Sequence, residues 1–456
     1  MNRNLSHLFL VMATLILLPL SASAETSGEC GENLTWKYEE ATQILTISGS
    51  GAMSNYYSYQ YRRAPWYDYR HIIREVIIEE GVTTIGVSAF AHCSALTGVT
   101  IPSSVTSIGE AAFEGCAALS SIDIPNSVTN IGNCAFFASG LTTVVIPNSV
   151  TKIGYEAFDS CKDLTSATIS KNMESLSYRF FHGCPNLTSV TLPEGVTTIG
   201  EMAFYGCTGL TSFTIPCSVT TIDKQAFEGC SNLTSLTVSS NLYAIGGEAF
   251  KDCRQITDIR IVVSDRSTFC KSKIISLIYS NIEGLASYVN TPPVLVGYKL
   301  VILLDVEGNE IKDYVIPSGV TSIYADAFSK CGGLNSVTIP GSVTSIGSDA
   351  FSWCESLTDV YCYASIVPWT SYRVFDNSNL KHATLHVPAS SIGDYKWRDP
   401  WKDFGNIVPL DDADGIVSVH KDYSDTTPKY DLQGRRLNAQ PSKGVYIQEG
   451  KKYVMK

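Results

Sequence analysis

The sequence predicts a mainly β solenoid, in which short parallel strands stack in successive coils. Two observations predict this fold. A phenylalanine recurs every 22 or 23 residues between residues 90 and 250, and every interval carries the same apolar pattern. A fixed repeat of this length is typical of stacked supersecondary units. The anchoring residues are Phe90, Phe113, Phe136, Phe158, Phe181, Phe204, Phe227 and Phe250, and the pattern resumes at Phe328 and Phe351, with a less regular copy around Phe375.

Each repeat contains two short segments in which apolar and polar residues alternate. The first has the form Leu-x-x-Val-x-Ile-Pro, as in residues 187–193, and the second the form Val-Thr-x-Ile, as in residues 196–199. Alternation with β-branched residues predicts strands. The intervening Ala-Phe-x-x-Cys segment has room only for a short helical turn. A single repeat cannot bury its apolar residues, so we expect stacked repeats to bury them as continuous ladders.

The repeat consensus, IPxSVTxIGxxAFxxCxxLxxVxI, closely resembles the BspA-like leucine-rich repeats of secreted and surface proteins. The resemblance covers residues 30–410, and residues 30–53 with Ala-Pro-Trp-Tyr at 64–67 resemble the amino-terminal cap of that family. It implies a leucine-rich-repeat solenoid with parallel strands and short helical turns, interrupted once and capped at both ends. It also implies extracellular adhesion or binding, without implying an enzyme or fixing a ligand.

The amino-terminal part of the chain divides into three predicted segments. Residues 1–24 combine a basic start, an apolar stretch and Ala-Ser-Ala at 22–24, which predicts a secretory signal peptide and hence a secreted or cell-surface protein. Residues 25–75 predict a hairpin followed by an aromatic cap. Residues 76–261 form the first repeat block.

The repeat pattern fails between residues 262 and 314. Within this stretch, residues 267–284 predict a short helix, and residues 298–317 predict a hairpin that turns at Glu307-Gly308-Asn309. We interpret the stretch as an inserted splint between two blocks. The alternative is a functional insertion, because irregular segments often carry binding residues.

The carboxy-terminal part predicts a second repeat block with its cap (315–410), an acidic linker (411–427) and a basic tail (428–456). The tail carries seven basic and two acidic residues, a net charge of +5. Its segments YDLQGRRL and KGVYI resemble the sorting domains of type IX secretion cargo. A degenerate tail that packs against the acidic solenoid is the alternative.

Composition and motifs exclude several classes of function. The net charge of −11 argues against nucleic acid, whose phosphates require a basic face. No segment after residue 24 is apolar and long enough for a membrane helix. The histidines lack zinc-type spacing, and no phosphate loop or nucleophile motif occurs. We therefore predict no catalytic site, metal or cofactor, and a monomer that binds a protein or glycan at the cell exterior.

The 14 cysteines are expected to be mostly free thiols. Nine occupy one repeat position, where a thiol behaves as a small apolar core group. They are Cys93, Cys116, Cys161, Cys184, Cys207, Cys230, Cys253, Cys331 and Cys354. The cysteines outside this position are better candidates for disulfides, namely Cys30, Cys134, Cys217, Cys270 and Cys362.

A stripe of hydroxyl side chains is the first candidate binding surface. The outward position of the Leu-x-x-Val-x-Ile strands is threonine in four successive repeats, and two charges end the stripe. These residues are Thr168, Thr191, Thr214, Thr237, Asp258 and Arg260. A second stripe comprises Thr83, Thr106, Thr129, Thr151, Thr197 and Thr220. Such stripes predict a flat polar face for a protein or glycan. The alternative is that threonine merely suits an exposed strand and that stacked hydroxyls pair with each other.

Aromatic residues concentrate near both ends of the repeat region. Seven lie between residues 55 and 70, including Tyr56, Tyr57 and Tyr59, and Trp397, Trp401 and Phe404 follow the last repeat. We interpret both clusters as caps that cover the open ends of the stack. The alternative for residues 56–61 is an aromatic platform on which sugars stack, as in a polysaccharide-capturing accessory protein.

Overall fold

The computed structural model describes residues 26–57, 62–269, 274–275, 278 and 301–410, together with five short strands between residues 416 and 455. Regular structure in these residues is almost entirely β. The helices are α1 (Arg266–Phe269) and α2 (Ile392–Trp397), with single 3-10 turns at Tyr67–Tyr69, Leu380–His382, Ala389–Ser391 and Trp401–Asp403. The predicted mainly β solenoid is confirmed.

An antiparallel sheet begins the stack. Strands β1 (Thr26–Gly31), β2 (Leu34–Glu39) and β3 (Ile44–Gly49) pair in order, and β4 (Gly51–Ala52) follows. Apolar residues alternate along β2, so Leu34, Trp36 and Tyr38 point inward. The other edge of β3 pairs in parallel with the first repeat strand, which gives the solenoid a covered end.

The Leu-x-x-Val-x-Ile segments form the first strand line, in which most neighbouring strands pair in parallel, often one full repeat apart. Thr168, for example, lies opposite Thr191. The strands of this line are β5 (Glu75–Ile78), β7 (Gly98–Thr100), β10 (Thr143–Val145), β12 (Ser166–Thr168), β14 (Ser189–Thr191), β16 (Ser212–Thr214), β18 (Ser235–Ser239), β20 (Asp258–Val262), β21 (Val301–Leu304), β22 (Asp313–Val315), β24 (Ser336–Ile339), β26 (Asp359–Cys362), β28 (Thr384–Val387) and β29 (Asn406–Pro409).

The Val-Thr-x-Ile segments form a second strand line of two- to four-residue strands, which also pair in parallel. After β4, this line contains β6 (Val82–Ile85), β8 (Ser107–Ile108), β9 (Asn130–Ile131), β11 (Lys152–Ile153), β13 (Ser175–Leu176), β15 (Thr198–Ile199), β17 (Thr221–Ile222), β19 (Ala244–Ile245), β23 (Ser322–Ile323), β25 (Ser345–Ile346) and β27 (Trp369–Thr370).

The Ala-Phe-x-x-Cys segments form tight turns that are not helical. The residue two before each ladder phenylalanine has a positive φ, as at Met202 (+56°), and so does the residue two after it, as at Gly206 (+70°). The left-handed region favours glycine, yet most of these positions hold other residues. Hydrogen bonds between coils support the turns: the Phe204 amide donates to the Ala226 carbonyl at 2.7 Å. We call this side of the solenoid the turn edge.

The phenylalanines stack face to face along the interior of the solenoid. Ring centroids of Phe204 and Phe227 are 5.1 Å apart, and both side chains are fully buried. Most ladder thiols donate to the carbonyl of the phenylalanine one coil earlier, as from Cys207 to Phe181 at 3.1 Å. The described cysteines are all free, as predicted for the ladder, and burial raises the pKa of the Cys207 thiol to about 12.

The stretch predicted as an insertion differs in part from expectation. Of the helix predicted over residues 267–284, the structure describes α1 at its start, and most of the remainder lies outside the described residues. The chain turns at residues 305–309, where the Asp305 amide donates to the Asn309 carbonyl at 2.8 Å. Strand β21, however, pairs in parallel with β20 and so extends the sheet of the first block. Sequence inspection missed this rung because β21 is not followed by the usual phenylalanine turn.

The carboxy-terminal cap closes the ladder with aromatic rings. Trp401 is fully buried, and its ring centroid lies 5.5 Å from that of Phe375. The described strands beyond residue 410 form a separate five-stranded sheet in the order β30-β34-β33-β31-β32, with β30 (Ile416–Val417), β31 (Lys429–Tyr430), β32 (Arg436–Leu437), β33 (Gly444–Gln448) and β34 (Lys451–Met455). Strand β30 lies in the predicted linker, so part of that segment belongs to the tail sheet.

Candidate functional site

The structure distinguishes three rows of threonines that look equivalent in sequence. In the second strand line, hydroxyls donate to carbonyls one coil earlier, as from Thr197 to Glu174 at 3.1 Å. A second row precedes the first strand line and does the same, as from Thr188 to Thr165 at 3.1 Å. These two rows link neighbouring coils, and most of their hydroxyls are already engaged.

The third row is the predicted stripe on the first strand line. Thr168, Thr191 and Thr214 are exposed and Thr237 is half-buried. Within the residues that the structure describes, the hydroxyls of these four threonines make no hydrogen bond, either to the backbone or to one another. Burial confirms the predicted inward and outward positions of these strands, and the pairing of stacked hydroxyls that the alternative required does not occur in this row.

The two charges that end the stripe bind each other. The Arg260 Nη2 atom lies 2.9 Å from Asp258 Oδ2, and Ser235 donates to the same carboxylate at 3.1 Å. The pair is partly exposed, so it contributes little to stability. The uncharged row of threonines therefore ends at an ion pair whose two charges neutralise each other.

Tyr56 lies in the cap, as the favoured interpretation of the aromatic cluster expected, so the alternative of a sugar-stacking platform, and with it the assignment of Tyr56 as a ligand-binding residue, is wrong for this residue. Its side chain is 5% exposed, its hydroxyl donates to the Cys30 carbonyl at 3.2 Å, and its ring packs edge-on against Trp66. The ring lies in the cap because the core of the first coil needs covering, so it is not available for stacking. Tyr57 is half-buried, and Tyr59 lies outside the described residues.

Exposed aromatic side chains occur instead near the carboxy-terminal end of the stack. Trp369 is 64% exposed, Tyr372 73% and Trp397 86%, and Ile366 nearby is 84% exposed. Trp369 lies opposite Ser345, at an outward position of the second strand line. Sequence reasoning missed this group, although aligning Trp369 with the small residues of earlier coils would have indicated it.

A charged and aromatic cluster lies on the turn edge of the first block. The guanidinium of Arg179 is 5.8 Å from the Tyr178 ring centroid, and its Nη1 atom is 2.8 Å from Glu156 Oε1. Beneath it, the nearly buried Asp159 carboxylate contacts both Arg179 at 3.4 Å and His182 at 3.1 Å. Contacts between coils thus fix the arginine in one orientation.

The same arrangement recurs on the turn edge of the second block. Arg373 lies 5.5 Å from the Tyr372 ring centroid and 2.9 Å from the carboxylate of Asp349, one coil earlier. Tyr178-Arg179 and Tyr372-Arg373 occupy the same two positions relative to their ladder phenylalanines. We call them the Tyr-Arg pairs.

In the described part of the chain, no group of three or more histidine, cysteine, aspartate or glutamate side chains is arranged to hold a metal ion. Across those same residues, no helix has the length and apolar character needed to cross a membrane.

Comparisons with known proteins match the repeat architecture. The model of the BspA type leucine rich repeat region, in six copies, matches residues 66–187, 152–276 and 307–399. No curated protein matches the chain.

Solved structures with similarity include two leucine-rich repeat proteins. That of Eubacterium ventriosum is 22% identical, with 78% of this chain and 95% of that chain covered and a TM-score of 0.39. That of Bacteroides ovatus is 20% identical, with 84% and 100% covered and a TM-score of 0.38. A leucine rich cell surface protein of Faecalibacterium prausnitzii is 26% identical, with 74% and 94% covered and a TM-score of 0.35. Because the family model matches more than half of its residues, the chain belongs to the family of proteins with BspA type leucine rich repeats.

Proposed function

We propose that this is an exported, non-catalytic binding or adhesion protein that engages a protein, a cell or a glycan through the first strand line. The observation that carries the proposal is the difference among the threonine rows. In two rows most hydroxyls donate to carbonyls of neighbouring coils, whereas in the third row all four hydroxyls, those of Thr168, Thr191, Thr214 and Thr237, lack an internal partner. Regularly spaced, unengaged donors and acceptors on a rigid sheet suit recognition of an extended surface.

Site-directed arginine substitution tests the binding face. Thr191→Arg and Thr214→Arg place bulk and charge on the first strand line, and Thr197→Arg does so on the second. We expect the first two to weaken binding to extracellular matrix proteins, cultured cells or a glycan array, and the third to leave it intact. Equal binding by all three variants would contradict the proposed face. Thermal unfolding of each variant controls for damage to the fold.

Export is supported by the signal-peptide pattern at residues 1–24. We further propose that the basic tail acts in sorting and not in binding. A chain that ends at Leu410 should fold and bind like the full chain but should be lost from the cell surface. Normal surface display of the shortened chain, measured by flow cytometry on intact cells, would contradict the sorting role.

A further inference from the structure

The turn edge carries aromatic side chains in two separated places. At the first Tyr-Arg pair, Tyr155 is 60% exposed, and its ring lies 6.4 Å from that of Tyr178 at an angle of 81°. Also on this edge, His182 stacks on Tyr205 with ring centroids 5.0 Å apart. At the second pair, Tyr372 is exposed. Trp369, which lies three residues earlier in the second strand line, is exposed as well.

The charged groups at both places are already neutralised by neighbours. Glu156 and Asp159 hold Arg179, and Asp349 holds Arg373 with Asp376 at 3.7 Å. Each guanidinium therefore has little capacity left for an anion. Asp159 is buried, but the carboxylates of Glu156 and Asp349 are partly exposed and keep unused lone pairs, which accept hydrogen bonds from hydroxyl groups. Exposed ring faces beside fixed carboxylates fit a neutral, polyhydroxylated ligand better than an anionic one.

The distance between the two places favours a polymeric ligand over a globular protein partner. Between them lie the rung of β21 and five coils with phenylalanine anchors, at Phe204, Phe227, Phe250, Phe328 and Phe351. The corresponding edge residues of those five coils are Glu201, Lys224, Gly247, Ala325 and Ser348. None of these is aromatic, and at least six steps of about 4.8 Å put the places more than about 25 Å apart. A globular partner requires one contiguous contact area of about 800 Å². Two small equivalent sites on one rod suit a ligand that itself repeats.

We propose that the turn edge binds a neutral polysaccharide at two sites, one at Tyr155 and the Tyr178-Arg179 pair and one at Trp369 and the Tyr372-Arg373 pair. At each site a sugar ring stacks on an exposed aromatic face, while the fixed carboxylates accept hydrogen bonds from its hydroxyls. A chain that spans both sites binds more tightly than a short oligosaccharide, because the second contact is intramolecular. This surface is distinct from the threonine row of the first strand line.

Native affinity electrophoresis of the full chain tests the proposal. The gels contain amylopectin, galactomannan, xyloglucan, mixed-linkage β-glucan or α-mannan, and polygalacturonate serves as the acidic counterpart. We expect retardation by at least one neutral polymer and none by polygalacturonate. Tyr155→Ala and Tyr372→Ala should each weaken binding about tenfold, and the double variant should reduce it by about 10² or more. The matched control is Tyr243→Ala, since Tyr243 is 71% exposed but lies outside both sites.

Three results would overturn the proposal: no retardation by any of the neutral polymers, undiminished retardation of the double variant, or an equal loss in the Tyr243→Ala control. All substituted side chains are exposed, so the melting temperature should stay constant and binding losses can be assigned to contact. Thr191→Arg with Thr214→Arg should leave retardation unchanged. Failure of the polysaccharide site is thereby separated from failure of the proposed function of the first strand line.

Discussion

The two ends of the stack are both rich in aromatic residues but use them differently. At the amino end, Trp66 is buried, stacks 5.6 Å from Phe90 and donates its indole N–H to the Ala89 carbonyl at 2.8 Å. At the carboxy end, Trp401 is also fully buried but packs edge-on against Phe375, and Trp369 and Trp397 face solvent. Aromatic content therefore does not separate a cap from a contact surface; the position within the coil does.

Truncating one indole at each end tests most directly whether the two ends use their aromatic residues differently. Trp66→Ala removes a fully packed ring and a buried hydrogen bond, so we expect a loss of about 3–5 kcal/mol in the free energy of unfolding. Trp397→Ala removes an exposed ring and should stay within about 0.5 kcal/mol of the parent. Urea titration of both variants measures the difference. Similar losses at the two ends would mean that Trp397 is part of the cap.

Buried thiols near both ends of the stack make the free energy of unfolding depend on pH, which tests whether both ends bury their core in the same way. Burial raises the pKa of Cys93 to about 12 and that of Cys362 to about 11, from an ordinary value of 9.0. The folded state holds these protons more tightly, so their stabilising contribution is complete below pH 9 and is lost as the pH rises through the folded pKa. Between about pH 8 and about pH 10 we expect the free energy of unfolding to fall by about 1.4 kcal/mol per such thiol.

Denaturant titrations at the two pH values check this expectation. Cys93→Ala should show a smaller dependence on pH than the parent, whereas Thr191→Ala should show the same dependence. An unfolding free energy that stays constant up to about pH 10 would contradict the assignment of the ladder thiols to the core. Mass-spectrometric counting on denatured protein should also find at least the nine ladder thiols free.

The smallest expected effect distinguishes engaged from unengaged hydroxyls. Thr197→Val removes a hydroxyl that donates to the Glu174 carbonyl, so it should cost about 0.5–1.5 kcal/mol. Thr191→Val removes a hydroxyl without an internal partner and should be close to neutral. If a urea titration showed that Thr191→Val lowers the free energy of unfolding as much as Thr197→Val, the threonines of the first strand line would serve to stabilise the fold. The argument for a binding face there would then fail.

The repeat made much of this architecture predictable from sequence. The phenylalanine and cysteine ladders and the outward threonines follow from periodicity alone, because each copy repeats the same choice of buried and exposed positions. The Tyr-Arg pairs were not predicted, since they depend on contacts between coils at positions outside the consensus. Comparing those positions would have shown the signal, as glutamate precedes arginine by one coil at Glu156 and Arg179, and aspartate does so at Asp349 and Arg373.

The burial of the Tyr56 ring could not be predicted from the sequence, for a different reason. Residues 54–74 lie between the hairpin and the first complete repeat, so no periodicity there indicates which rings point inward. Strand β21 presents the same difficulty, because the chain around it lacks a phenylalanine anchor. Where the repeat is missing, burial depends on tertiary packing, which local sequence does not specify.

The central claim is that one repeat register decides which side chains form the core and which face a ligand. Paired urea titrations of Phe204→Ala and Thr191→Ala test it most directly. Phe204 is fully buried between the rings of Phe181 and Phe227, so its loss should cost about 3–5 kcal/mol, while the exposed Thr191 should change the free energy of unfolding by no more than about 0.5 kcal/mol. Equal losses would contradict the register, and the proposed binding face would fall with it, because a one-residue shift exchanges the two faces of a strand.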